Sequence, residues 1–144
     1  MKVREIMTKD LTSCEKDVSV RELIFILNSA GIPNIPVVDE KNKVVGYISE
    51  KDILKAGLPS YYEMLPTTSF IPDLNQLSKK LMQIADDPIE RYMQNDAIVI
   101  TEYDDTLQVA DLVIRRGVKS VPVVDSERGL VGKVRRIDLL RHLL

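Results

Sequence analysis

The residues able to do chemistry in this chain are few, and two short stretches hold most of them. Ser49 stands three residues before Asp52, and Arg135 stands three residues before Asp138. A hydroxyl followed by a carboxylate at that spacing forms a reciprocal cap at the head of a helix. Arg135 has no acceptor and cannot cap, so capping explains Asp138 less well. An acid in a first helical turn still suits the helix dipole, worth a few tenths up to ~1 kcal/mol. An arginine at that point can pair directly with a phosphate. Other chemistry is scarce. There is one cysteine, Cys14, and one histidine, His142, which excludes an intrachain disulfide framework and a zinc site of Cys and His clusters. No nucleophile–base pair, metal cluster or Gly-rich phosphate loop is present in the sequence. Cys14 sits on an expected buried strand and reads as a small core residue, and His142 suits a helix C-terminus.

The elements that must position these residues come in duplicate. Ile35-Pro36-Val37-Val38-Asp39 returns as Val121-Pro122-Val123-Val124-Asp125, an offset of 86. At that offset Met7 meets Met93, Asp10 meets Asp96, Gly31 meets Gly117, Val45-Gly46 meets Val131-Gly132, Asp52 meets Asp138 and Leu54 meets Leu140. The chain therefore divides into repeats at 1–55 and 89–144, joined by 56–88. Units this small bury too little surface alone, so the two should pack on each other.

Each repeat reads as β-α-β-β-α, a mixed α/β layer. Short strands are expected over Thr12–Cys14 and Ile98–Thr101. Ser19-Val20-Arg21-Glu22 and Asp105-Thr106-Leu107-Gln108 open helices, and Gly31 and Gly117 end them. Leu23 to Leu27 should form a wide buried face on the first helix, with Val109, Leu112 and Val113 on its counterpart. Ile35–Val38 with Val44–Ile48, and Val121–Val124 with Leu130–Val134, read as hairpins across polar turns. Last helices start near Ser49 and Arg135. The connector is too apolar for a floppy linker, with Tyr61, Tyr62, Met64, Leu65, Phe70 and Ile71, and Pro59, Pro66 and Pro72 break it into turns. Asp73-Leu74-Asn75-Gln76 caps a helix with Leu74, Leu77, Leu81 and Ile84 on one face, and Asp87-Pro88-Ile89-Glu90 signals another start.

Composition bounds the class. The 144 residues are 44% hydrophobic and 29% charged, as in a globular chain. The formal net charge of −2 argues against bulk-charge binding of nucleic acid. No apolar run is long enough for a membrane span, and Met1-Lys2-Val3-Arg4-Glu5 does not open a signal peptide, so a cytoplasmic protein is expected. Charge is uneven. From Asp111 to Arg141 there are eight Lys or Arg against four acids, an excess that would attract a polyphosphate or simply form a solvated face. From Asp86 to Asp105 there are seven acids and one Arg, to which no role is assigned.

Doubled in register, the Pro-Val-Val-Asp string with Val-Gly and the closing Asp-hydrophobic-Leu helix resembles the CBS domain, and the tandem resembles a CBS pair, or Bateman module. The resemblance covers roughly three quarters of the chain, and implies a pseudo-two-fold pair of repeats with a cleft at each end. It also implies a flat, disc-like homodimer and regulation by an adenosine-containing ligand such as AMP, ADP, ATP or S-adenosylmethionine, with no cofactor required.

By that resemblance, Gly46-Tyr47-Ile48-Ser49-Glu50-Lys51-Asp52 matches the family's ribose and phosphate motif in full. Asp52 would accept from both ribose hydroxyls, and Ser49 with the free N–H groups beside it would meet a phosphate. In Gly132-Lys133-Val134-Arg135-Arg136-Ile137-Asp138 the hydroxyl is replaced by Arg135, which could pair with a phosphate or fill and block the cleft. The first motif should face Gln94, Ala97, Val99, Val118, Lys119 and Ser120. The second should face Thr8, Leu11, Ser13, Ile32, Pro33 and Asn34. Adenine would lie on apolar side chains while backbone groups read its edge. Outside the resemblance, Val99, Val118 and Ile32 read as ordinary core.

These readings yield a ligand-sensing module that acts on a separate, unidentified partner. The alternatives are a dimerisation scaffold with vestigial clefts or, with least support, a weak nucleotide hydrolase built on Asp52.

Overall fold

The computed structural model describes residues 1–59, 61–64 and 74–144. Helix α1 (Val20–Ala30) leads to strands β1 (Asn34–Val38) and β2 (Val44–Ser49) and helix α2 (Glu50–Ala56). Helix α3 (Leu74–Ile84) belongs to the connector. The second repeat runs β3 (Ile100–Thr101), α4 (Thr106–Arg116), β4 (Ser120–Val124), β5 (Leu130–Arg135) and α5 (Arg136–Leu143). Single 3-10 turns at Val3–Glu5 and Ile89–Arg91 open the two repeats.

Local chemistry sets the helix ends. Ser19 Oγ accepts from the Glu22 N–H, and Asp105 and Gln108 cap α4 reciprocally. Gly31 and Gly117 close α1 and α4 at φ of 66° and 64°, where a side chain would be strained. Both hairpins are antiparallel and carry the same irregularity, at Val37/Val38 and Val123/Val124. Their turns rest on the Asp of the repeated string. Asp39 Oδ1 accepts from the N–H groups of Lys41 and Lys43, and Asp125 Oδ1 from those of Glu127 and Gly129.

The two repeats exchange their leading turns. Ile89, which opens the second repeat, is fully buried in the first repeat's core with Leu23, Ile35, Val37 and Ile48. Val3 and Ile6 are buried in the second core with Val109, Val121, Val123 and Val134. Backbone bonds fix the exchange. Ile89 N–H donates to the Val18 carbonyl at 2.8 Å, and Val3 N–H donates to the Asp104 carbonyl at 2.9 Å. Neither repeat's core is complete without the other's leader, which is why two such small units hold together. A further apolar cluster of Val38, Val44, Val124 and Leu130 joins the hairpins where their turns meet. At the pseudo-two-fold centre the equivalent residues Asn34 and Ser120 meet, the Ser120 hydroxyl donating to Asn34 Oδ1 at 2.9 Å.

The structure departs from expectation in three places. The strand expected at Thr12–Cys14 is a single bridge between Cys14 and Val37. The N–H and hydroxyl of Thr12 are both held by Asp10, a local turn that draws the chain away from the ladder. The face expected over Leu23 to Leu27 is narrower, since Leu23 and Leu27 are buried while Ile24 is exposed and Phe25 is 72% exposed. At Asp87–Glu90 only a 3-10 turn forms, because Ile89 is drawn into the first core. Of the connector, Leu77, Leu81 and Ile84 are at least partly buried, Leu74 is exposed, and Ser60 and residues 65–73, with the expected Asp73 cap, lie outside the described residues.

Candidate functional site

Two carboxylates, one at the head of α2 and one at the head of α5, hold equivalent places and are satisfied differently. Asp52 Oδ2 accepts from the Ser49 backbone N–H at 2.9 Å and the Ser49 hydroxyl at 3.0 Å. Ser49 Oγ in turn accepts from the Asp52 N–H at 3.2 Å. The Gln94 amide then reaches over from the second repeat to both Asp52 oxygens, at 3.1 and 3.3 Å. Among the described residues every donor on Asp52 is neutral, and one of them comes from the other repeat.

Asp138 is 0% exposed and its donors are largely cationic. The Arg135 guanidinium grips it with two bonds, Nε to Oδ2 at 3.1 Å and Nη2 to Oδ1 at 2.8 Å. The Arg135 backbone N–H adds a bond of 2.8 Å, and Arg141 Nη2 approaches Oδ1 at 3.4 Å. Burial pushes the Asp138 carboxyl up, but the Arg135 guanidinium and N–H and the charge of Arg141 outweigh it and hold the group below the usual carboxylate range. Ser49 and Asp52 thus cap α2 reciprocally, while at α5 only Asp138 accepts a backbone N–H and the Arg135 guanidinium holds that carboxylate in an ion pair.

A cleft of about 770 Å³ opens beside Arg135. One wall is the end of α1 and the start of β1, from Ala30 to Asn34, together with Thr8 and Asp10. The other carries Lys119, Lys133, Arg135 and Arg136, with Ile137 and Leu140 supplying apolar surface. Its size is that of a small-molecule site. Lys133 Nζ lies 3.0 Å from Asp10 Oδ2. Hydrogen bonds from the hydroxyl and N–H of Thr12, then Lys133, hold the Asp10 carboxyl down to about 2.

The glycines of the Val-Gly pairs explain how the clefts form. A Cβ at Gly46 would stand 2.8 Å from the Gln94 carbonyl oxygen, and one at Gly132 would run into the carbonyl oxygen of Thr8. Each glycine lets the other repeat's leader lie against the strand, as the Tyr47–Gln94 and Thr8–Lys133 bridges show.

The model of the CBS domain family matches residues 3–58 and again residues 89–144. The chain belongs to the CBS domain family. Its two CBS repeats form a tandem pair. Across nearly their full lengths it is 29% identical to the uncharacterised protein MJ1426 of Methanocaldococcus jannaschii, covering all of this chain and 92% of that one. It is 28% identical to the A-adding tRNA nucleotidyltransferase of Aquifex aeolicus, over 98% of this chain but only 14% of that one. Among solved structures, the CBS domain pair of protein MJ0100, in complex with 5-methylthioadenosine and S-adenosylmethionine, superposes with a TM-score of 0.71 at 26% identity, covering 99% of this chain and 95% of that one. The pair from a membrane protein of Sphaerobacter thermophilus does so with a TM-score of 0.71 at 26% identity, covering all of this chain and 88% of that one.

Within the CBS pair, Gln94 meets the Ser49–Asp52 motif, and Thr8, Ile32, Pro33 and Asn34 line the Arg135 cleft, the ends at which each was expected. Lys119 and Ser120 were expected to face Ser49 and Asp52 and instead line the Arg135 cleft. The ladder register is the reason: Ser120 pairs with Arg135 across β4 and β5, which puts Lys119 beside the start of α5. Leu11 is half exposed and, with Ser13, does not line that cleft. Ile48 and Val134 are buried in the two cores, Val118 packs against the second core, and Ala97 and Val99 pack against the hairpin cluster. Asp138 itself lies behind Arg135 and does not line the cleft. Sequence reasoning missed Asp10 and Lys133 as an ion pair in the cleft wall and Arg136 beside them. The excess of positive charge after Asp111 was the available signal. Burial pushes the Cys14 thiol up to about 12, which agrees with its reading as a core residue. Among the described residues no helix is long and apolar enough to cross a membrane, and no group of His, Cys, Asp or Glu could hold a metal.

Proposed function

We propose that this CBS pair is a regulatory binding module that takes an adenosine-containing ligand at Ser49 and Asp52 and signals through the contact between its repeats. The observation that carries this reading is the Gln94–Asp52 bond. A carboxylate with neutral donors can exchange them for the two hydroxyls of a ribose at little net cost. Here one displaced donor belongs to the other repeat, so occupancy of Asp52 removes an inter-repeat contact. A ligand that binds the two packings with different affinity shifts the balance between them, which is how the signal would leave the site. The ligands of the MJ0100 pair support adenosine as the recognised group. Catalysis finds no support in the site, where the Ser49 hydroxyl is committed to the Asp52 cap as both donor and acceptor.

Apolar side chains favour pairing of modules as the route to a partner or a second copy. Leu107 and Ile114 on α4 and Ile137, Leu140 and Leu143 on α5 are all exposed, Ile114 by 81%. Surface of this kind marks an interaction face, and a homodimer is the simplest use of it.

The test is a thermal melt with and without AMP, ADP, ATP and S-adenosylmethionine. A ligand at ~100 times its Kd adds about 2.7 kcal/mol, several degrees for a chain of this size. A shift that disappears in Asp52→Ala is expected. A shift unchanged in Asp52→Ala would move the site elsewhere, and no shift with any of the four would favour the dimerisation scaffold.

A further inference from the structure

We infer that the cleft beside Arg135 recognises a chain of two or more phosphate groups and excludes a ribose, with Arg135 deciding between the two. The inference deepens the proposed function, on which it rests for the assignment of adenosine to the Asp52 end.

The argument begins with the donors on Asp138. A carboxylate offers about four acceptor positions. Three bonds from Arg135 and one from Arg141 approach Asp138, and its side chain is wholly buried. A ribose would have to break a bidentate ion pair and leave Arg135 without its carboxylate, so hydroxyls are poor competitors there. Asp52, held by Ser49 and the Gln94 amide, presents no such barrier.

The same cleft is made for anions. Lys119, Lys133, Arg135 and Arg136 line it, and Asp10 is the one acid among its lining residues. Asp10 is committed to Lys133. Lys119 and Arg136 have no carboxylate partner among the described residues. Arg135 is 43% exposed, and it uses Nε and Nη2 on Asp138, which leaves Nη1 as a planar donor for a phosphate oxygen. One phosphate meets one or two of these cations, while a polyphosphate chain spans several, so length of the phosphate chain is what the cleft reads. Asp138 then acts as a positioning residue that holds the guanidinium at the cleft wall and competes with the ligand for it.

The test is calorimetric titration of the full chain with inorganic tripolyphosphate and, separately, with adenosine. The proteins are wild type, Arg135→Thr, Asp138→Asn and Asp52→Ala, each checked for fold by circular dichroism. Wild type should bind tripolyphosphate, and Arg135→Thr should weaken that binding about tenfold or more. Asp138→Asn should tighten it, because the neutral amide no longer competes for Arg135. Arg135→Thr should also admit a second adenosine per chain. If Arg135→Thr does not fold, Arg136→Ser serves in its place and should likewise weaken tripolyphosphate. The inference is overturned if wild type ignores tripolyphosphate, if loss of these arginines leaves its affinity unchanged, or if wild type already binds two adenosines. Adenosine bound nowhere, with tripolyphosphate behaving as stated, would defeat the proposed function alone. Adenosine lost in Asp52→Ala, with tripolyphosphate indifferent to Arg135, would defeat this inference alone.

Discussion

The heads of α2 and α5 occupy the same position in two copies of one repeat, yet Asp52 is held by a hydroxyl and a borrowed amide, and Asp138 by two arginines. The backbone around them is nearly the same: each follows a strand with a glycine pressed against the opposite leader, and each accepts from the N–H three residues before it. Three differences separate the ends: Arg135 stands where the first copy has Ser49, Arg141 where it has Lys55, and Thr8 where the second leader has Gln94. A duplicated fold can therefore keep its frame and divide its ligand chemistry between two ends.

The comparison can be broken most directly by removing the side chain that holds the acid at each end. Arg135→Ala leaves a buried carboxylate with fewer partners and should cost about 2–3 kcal/mol of stability. Ser49→Ala should cost about 1 kcal/mol, the usual worth of a cap. Denaturant melts of the two variants measure the difference, and equal losses would mean that the ion pair contributes no more than the hydroxyl cap.

The glycines sharpen the same contrast. Gly132→Ala drives a methyl group into the Thr8 carbonyl and should cost about 2 kcal/mol, within the usual range for overpacking. Gly46→Ala meets the Gln94 carbonyl at 2.8 Å and flexible Met93 atoms beyond it, and should cost about 1 kcal/mol. The reverse order would show that the first cleft is the tighter of the two.

The smallest effect is in acid. Asp10 and Asp138 both have folded pKa values below their ordinary ones, so the stability they contribute is present above the unfolded value near 4 and is lost as pH falls through the folded value, about 2 for Asp10. Melting temperature should be flat down to about pH 5 and decline toward pH 2. Asp10→Asn should make that decline shallower, and an unchanged slope would remove Asp10 from the account.

Much of this fold was legible because its signals are local. Ser19, Asp105, Gly31 and Gly117 act within a few residues of themselves, and the doubled Pro-Val-Val-Asp string fixed both hairpins. What escaped depends on distant partners. Nothing near Val3 or Ile89 shows that each enters the other repeat's core. Five apolar residues in a row on α1 do not show which two are buried. Lys119 was matched to the wrong cleft because its place follows from the pairing of Ser120 with Arg135 across the ladder. In the site, the motif residues were visible, while the pairing of Asp10 with Lys133 depends on the leader of one repeat lying against a strand of the other.

The central claim is that adenosine recognition belongs to the Asp52 end alone. Its most direct test is the stoichiometry of adenosine, which has a ribose and no phosphate, titrated into wild type and Asp52→Ala. The account predicts one adenosine per chain in wild type and an affinity lower by about 2 kcal/mol, roughly thirtyfold, in the variant. Two adenosines per wild-type chain, or one bound equally well without Asp52, would contradict it.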